Sequence, residues 1–199
     1  MSLRVRSLDI ADVLLLEHRL HEDERGFLME LHKGSTSSEA GIPEEFVQMN
    51  VSHSRRGVLR GLHYQHPPAA QGKLIHVVRG EIFDVAVDLR RGSPSYSKWV
   101  GRVLSDRRRE SLFVPAGFAH GFCTLSEEAD VVYLATLEYS KDHEAGVIWN
   151  DSDLGIEWPI REPILSERDG KLPLLRRADI RFMYRRGEGR RSTSAGRST

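Results

Sequence analysis

The sequence predicts an all-β protein, with many short and mostly antiparallel strands closed into a barrel or a double sheet. Three features predict it. Apolar residues recur at period two in one segment after another, glycines and prolines punctuate those segments at short intervals, and helical periodicity is weak. Closure is expected because an open sheet of so many short strands would leave unpaired edges.

Phe27, Met29 and Leu31 alternate with Leu28, Glu30 and His32, which marks the first strand. Residues 46–52, 73–79, 81–89, 99–104, 111–114 and 131–139 alternate in the same way. The Arg79-Gly80-Glu81 step between two such runs predicts a tight hairpin with glycine at the turn. Gly57, Gly72, Gly92-Ser93-Pro94 and Pro115-Ala116-Gly117 mark further turns. A few short peripheral helices are expected: one over 36–40, and one or two beyond Ser166 around Leu172, Leu174 and Leu175.

At 199 residues, 29% charged and 39% apolar, the chain has the size and balance of one soluble globular domain with a real core. Apolar runs such as Val13-Leu14-Leu15-Leu16 are too short to span a bilayer, and Met1-Ser2-Leu3-Arg4 lacks the pattern of a secretory signal. Cys123 is the single cysteine, so no internal disulfide can form and a cytoplasmic address is expected. Net charge is zero, but residues 185–199 hold five arginines against one glutamate. That stretch is expected to be a disordered tail behind a domain of residues 1–184. Neither a nucleic acid nor a membrane is expected as a partner.

The chemistry concentrates in Leu59-Arg60-Gly61-Leu62-His63-Tyr64-Gln65 and the following Gln71-Gly72-Lys73. Histidine takes and returns protons near neutrality, and a lysine cation suits a developing oxyanion. Together they suit removal of a proton beside a carbonyl. Of the nine histidines, His63, His66, His76 and His120 are the candidates for a metal site. The chain has no His-x-His, His-Glu-x-x-His or Cys-x-x-Cys, and position 65 carries Gln65, a poor ligand for zinc or iron, so no metal is expected. His18, His21, His32 and His143 read as surface residues. Pro115-Ala116-Gly117-Phe118-Ala119-His120-Gly121-Phe122 reads equally as a tight turn and as a binding loop, and a barrel can bring His120 to the same mouth as His63. By spacing alone, Asp169 is a turn residue and Tyr133 a core aromatic.

The two concentrated motifs belong to a longer ordered set. It comprises Asp23-Glu24-Arg25-Gly26-Phe27, Gln48-Met49-Asn50, Phe83-Asp84-Val85-Ala86-Val87-Asp88, Trp149-Asn150-Asp151, Gly155-Ile156-Glu157-Trp158-Pro159 and Leu165-Ser166-Glu167-Arg168-Asp169. As a set, these motifs resemble the dTDP-4-dehydrorhamnose 3,5-epimerases over roughly residues 5 to 180. The resemblance implies a cupin-type jelly-roll barrel, a homodimer, no metal or organic cofactor, and a dTDP-4-keto-6-deoxy sugar as substrate. It implies inversion of C3 and C5 of dTDP-4-dehydro-6-deoxy-D-glucose to give dTDP-4-dehydro-L-rhamnose. His63 is then the base, Asp169 its orienting partner, Lys73 the enolate stabiliser and Tyr133 the acid, with Tyr139 as the alternative donor of the second proton. Arg60 and Arg25 are implied at the diphosphate, Gln48, Asn50, Glu30 and Phe27 at the nucleotide, and His120, Tyr139, Glu144 and Arg168 along the substrate site. Strand exchange is implied to carry residues 25–30 into the partner's site.

Two departures from the family pattern stand out. Met49 replaces an aspartate common in Gln-Asp-Asn. In the Tyr-Lys-x-Thr-x-x-Tyr-Tyr stretch, Leu134 and Ser140 stand at the lysine and the second tyrosine. They bear on double specificity more than on the proton chemistry. The nearest rival is an epimerase inverting C3 or C5 alone, which product stereochemistry discriminates. A metal-dependent cupin oxygenase and a non-catalytic sugar-nucleotide binding barrel are the rivals of other classes.

Overall fold

A computed structural model describes residues 3–43 and 45–185. The arginine-rich tail, from residue 186 onward, lies outside the described residues. Four strands open the chain: β1 (Leu3–Ser7), β2 (Leu14–His18), β3 (Leu20–Asp23) and β4 (Gly26–Met29). Helix α1 (Gly34–Glu39) follows, then β5 (Gln48–Arg55), β6 (Leu59–Gln65), β7 (Lys73–Arg79) and β8 (Glu81–Asp88). Strands β9 (Trp99–Ser105), β10 (Glu110–Val114), β11 (Phe118–Thr124), β12 (Glu128–Ala135) and the short β13 (Glu144–Gly146) complete the set. Short 3₁₀ turns at Asp169–Lys171 and Leu175–Arg177 supply the expected late helical pieces.

The strands form two packed antiparallel sheets, in the orders β1-β2-β10-β7-β12-β5 and β13-β6-β11-β8-β9, while among the described residues β3 and β4 pair only with each other. The architecture is the cupin-type jelly roll expected from the resemblance. Period-two alternation explains the core. Leu15, Ile75, Val77, Leu112 and Val131 face inward from the first sheet and meet Ile82, Ala86, Val100, Leu104, Phe118 and Phe122 of the second. Each of these valine, leucine, isoleucine and phenylalanine side chains, taken fully out of water, contributes roughly 1.5–3 kcal/mol. The outer face of the five-stranded sheet is covered by the C-terminal segment, where Leu154, Leu175, Ile180 and Phe182 pack on Leu62, Tyr64, Val85 and Val87.

Several sequence expectations need correcting. The Arg79-Gly80-Glu81 step is not a hairpin, because β7 and β8 lie in different sheets. Gly80 (φ +80°) instead turns the chain from one sheet into the other, and a Cβ there would lie 2.1 Å from the Glu128 carbonyl oxygen. Turn residues between two alternating runs look alike whether the runs pair or diverge, which is why local pattern misread the step. The strand expected over 131–139 stops at Ala135. His18 is not an ordinary surface residue: its Nε2 lies 2.6 Å from the Ser111 hydroxyl, which His76 Nδ1 also approaches at 3.0 Å. Burial pushes His18 below its ordinary pKa and His76 down to about 4.

Candidate active site

Strands β6 and β11 run antiparallel with His63 directly opposite His120. They come unusually close because glycines face each other. Gly61 (φ +133°) has no room for a side chain, since a Cβ there would sit 2.5 Å from the Gly121 Cα. Both histidines face the space between the sheets, and each is tied to a buried carboxylate.

His63 Nε2 lies 2.7 Å from Asp169 Oδ1. Asp169 is 4% exposed, on the first 3₁₀ turn, and its other oxygen accepts from the Gly61 backbone N–H at 3.4 Å. Burial alone would raise the Asp169 pKa. The His63 imidazole, the Gly61 amide and the Ser166 hydroxyl together hold it below the usual carboxylate range. An ionised carboxylate can only accept, so Nε2 of His63 carries a proton, and in the neutral imidazole the lone pair is then on Nδ1.

His120 Nε2 lies 2.9 and 3.0 Å from the two oxygens of Asp84, a fully buried residue of β8. Burial raises the Asp84 pKa, against the pull of His120 and then of Lys73. In the sequence Asp84 stands inside the Phe83-Asp84-Val85-Ala86-Val87-Asp88 motif with no role of its own. Its signal was there to be used: period two places Asp84 on the same face as the core residues Ile82 and Ala86, and a carboxylate on a core face demands a partner.

Two adjoining cavities occupy this region. The larger, about 510 Å³, is lined by Arg60, His63, Lys73, His120, Tyr133, Arg168 and Asp169, with Val58, Ile75, Phe122, Val131 and Ile164 as apolar wall. The smaller, about 290 Å³, is lined by Gln48, Asn50, Gln65, Gln71, Tyr139 and Glu144. His63, Lys73 and Tyr133 line both. Lys73 and Tyr133 come from β7 and β12, across the sandwich from His63. Burial lowers the Lys73 pKa against the pull of Glu144 and Asp84, and burial raises that of Tyr133 against the pull of Arg60.

At the mouth of the smaller cavity, Arg168 grips Glu144 with Nη1 and Nη2, each 2.6 Å from a carboxylate oxygen. The Tyr139 hydroxyl donates to Glu144 Oε2 at 2.6 Å, and this bond raises the Tyr139 pKa. Arg60 spends Nε on the Ser54 hydroxyl and one Nη2 hydrogen on the His53 carbonyl, which leaves Nη1 for a ligand. Of the candidates read from the sequence, the structure brings eleven together here; Arg25, Phe27 and Glu30 are not among them. They lie on and just after the β3–β4 hairpin, where Arg25 pairs with Asp23 and the Arg109 guanidinium covers the Phe27 ring at 4.2 Å. The four histidines weighed as metal ligands do not converge. His76 faces outward beside Ser111, and His66 lies 3.8 Å from Asp179.

Met49 and Leu134, two of the departures from the family pattern, point away from the cavities. Leu134 packs with Leu16, Leu74 and Phe113 on the outer face of the six-stranded sheet, and Met49 is exposed. Neither residue lines either cavity.

A family model described as dTDP-4-dehydrorhamnose 3,5-epimerase matches residues 7–177. A dTDP-4-dehydrorhamnose 3,5-epimerase from Shigella flexneri is 51% identical over 168 residues, which cover 84% of this chain and 93% of that protein. A dTDP-4-dehydrorhamnose 3-epimerase from Streptomyces niveus is 40% identical over 177 residues, 88% of this chain and 86% of that protein. The crystal structure of a dTDP-6-deoxy-D-glucose-3,5-epimerase from Legionella pneumophila, in complex with dTDP-4-keto-L-rhamnose, superposes with a TM-score of 0.89 at 40% identity. That superposition covers 92% of this chain and 100% of the other. Motif order, sheet topology and these matches agree, and the chain belongs to the dTDP-4-dehydrorhamnose 3,5-epimerase family.

Proposed function

We propose that this protein epimerises dTDP-4-dehydro-6-deoxy-D-glucose at C3 and C5, giving dTDP-4-dehydro-L-rhamnose, with no organic cofactor or metal. The observation that carries the proposal is the His63–Asp169 pair, 2.7 Å apart, on a cavity wall shared with Lys73 and Tyr133. Pure binding requires no oriented base.

The 4-keto group acidifies the protons on both neighbouring carbons. His63 Nδ1 takes one of them, and the electron pair of the broken C–H bond moves onto the C4 oxygen as an enolate. Asp169 holds the imidazole in the right tautomer and steadies the imidazolium. Lys73 faces the developing oxyanion, which supplies the counter-charge that burial denies the ammonium; losing such a donor costs roughly 3–4 kcal/mol in related settings. Tyr133, whose raised pKa keeps the phenol protonated at neutrality, returns a proton to the opposite face. Proton transfer through solvent from imidazolium to tyrosinate resets the pair.

The smaller cavity would take the nucleotide half, with Gln48 and Asn50 as polar contacts and Tyr139 at the rim, and Arg60, on the wall of the larger cavity, would meet the diphosphate. One domain, residues 1–184, would carry the activity, and the single cysteine suits a reducing cytoplasm.

The working unit is proposed to be a homodimer. The β3–β4 hairpin joins neither barrel sheet, and Leu28, Met49 and Val51 are 72%, 69% and 67% exposed. An unpaired hairpin edge and exposed apolar residues of this kind suit burial against a second copy. The partner's Arg25, Phe27 and Glu30 would then complete the nucleotide site. Sedimentation at the mass of one chain under assay conditions would refute the dimer.

The deciding experiment is NMR of the substrate incubated with enzyme in D₂O, with a reductase to trap the product. Deuterium at C3 and C5 with an L-rhamnose product is expected. Label at a single carbon would move the protein to the mono-epimerases, and label at neither would remove the chemistry.

A further inference from the structure

After β12 ends at Ala135, the chain leaves the sheet as an irregular strap that brings Tyr139 to the lining of the smaller cavity. Backbone that leaves a sheet needs new hydrogen-bond partners. Here they come from three glutamine side chains on other parts of the fold. Gln71 Nε2 donates to the Leu137 carbonyl at 2.6 Å. Gln65 Nε2 donates to the Glu138 carbonyl at 3.2 Å, and its Oε1 accepts from the Ser140 N–H at 2.7 Å. Gln48 Oε1 accepts from the Tyr139 N–H at 2.6 Å. Four successive residues are thus held by amide side chains.

Gln65 is the centre of this arrangement. It lies on β6 two residues from His63, is 5% exposed, and also donates to the Ala69 carbonyl at 2.7 Å. An amide offers a donor and an acceptor at one end of the chain, which is what a strap presenting a carbonyl and then an N–H requires. A glutamate would face two carbonyls with no hydrogen to give, and a histidine is too short and rigid to serve both. With both its backbone neighbours bonded to Gln65 and its own N–H to Gln48, Tyr139 has little freedom other than at its side chain. Its hydroxyl then reaches Glu144.

We propose that Gln65 is a positioning residue that fixes Tyr139 over the nucleotide half of the cleft, so that the segment behind the base His63 also sets substrate capture. The inference rests on the sugar-nucleotide reading above and assigns Gln65 no contact with the reacting carbons.

The test is a double-mutant cycle between Gln65→Met and Tyr139→Ala, read as KM and kcat for the dTDP-sugar beside the melting temperature. Gln65→Met keeps the side-chain length and removes every hydrogen bond. It is expected to raise KM about tenfold, with kcat changed by less than about threefold. In the Tyr139→Ala background the same substitution should change KM by less than about twofold, because nothing remains to be positioned. An equal KM loss in both backgrounds, or an unchanged KM in the single variant, overturns the proposal. If Gln65→Met does not fold, Gln71→Leu at the cavity rim decides by the same cycle, with a smaller expected KM rise of about threefold. Absence of any turnover by the unaltered enzyme would instead sink the epimerase reading, so the two failures are distinguishable.

Discussion

His63→Ala should abolish measurable deuterium exchange at both C3 and C5 while dTDP still binds. A positioned general base is worth about 10²–10⁴ in rate, and here one base serves two carbons, so both exchange signals should fall together. Affinity for dTDP should stay within about threefold, because the imidazole sits on the wall between the cavities and faces the sugar. Stopped-flow or NMR exchange, together with calorimetry of dTDP binding, measures the two effects on one preparation. Exchange surviving at one carbon would mean that a second base serves it. His120 would then be the group to test, since it is the other imidazole on that wall and carries its own buried carboxylate.

Gly61→Ala is expected to be among the most damaging substitutions of a single methyl group in the barrel. Two penalties add. The backbone at φ +133° is a conformation that L residues rarely adopt, costing on the order of 1–3 kcal/mol. The new methyl would also lie 2.5 Å from the Gly121 Cα and 3.0 Å from the His120 carbonyl oxygen. Both are backbone atoms of a paired strand, which cannot rotate away as a side-chain tip can. The total should exceed about 3 kcal/mol, and at about 2–4 °C per kcal/mol the melting temperature should fall by at least roughly 6–12 °C. Gly41→Ala is the control. It shares a positive φ (+77°) but has nothing within 4 Å of the added atom, so it should show the strain alone, about 1 kcal/mol. Equal melting temperatures for the two variants would mean that β6 and β11 can separate without loss.

The contrast between these two sites also shows what the sequence made legible. Alternation found β7 from Lys73 to Arg79 to the residue, because Ile75 and Val77 fill the space between the sheets while Lys73 and Arg79 bound the run. It did not reveal that β6 is itself a strand, since Gly61 and the polar run through His63 interrupt the apolar rhythm. Nor did it reveal the sheet change at Gly80, which depends on distant partners such as Ser126, whose hydroxyl accepts from the Glu81 N–H. The site was legible as residue types only in part: the base His63 and Lys73 stood out, while Tyr133 entered through resemblance. The Asp169 role came only through resemblance, because a residue over a hundred positions from His63 has no local signature. Gln65 was noticed for what it cannot ligate, and its three hydrogen bonds depend on a loop whose path no periodicity describes.

The crossing at Gly80 is one of several, and together they have one more effect. Because β5 to β8 and β10 to β13 are dealt alternately to the two sheets, His63 arrives from the five-stranded layer and Lys73 and Tyr133 from the six-stranded one. Neither layer carries the reaction by itself. A folding intermediate with both sheets hydrogen-bonded but not yet clasped would show full strand content by circular dichroism and no turnover. Recovery of activity during refolding would therefore time the docking of the two layers, a step that spectroscopy of the backbone passes over.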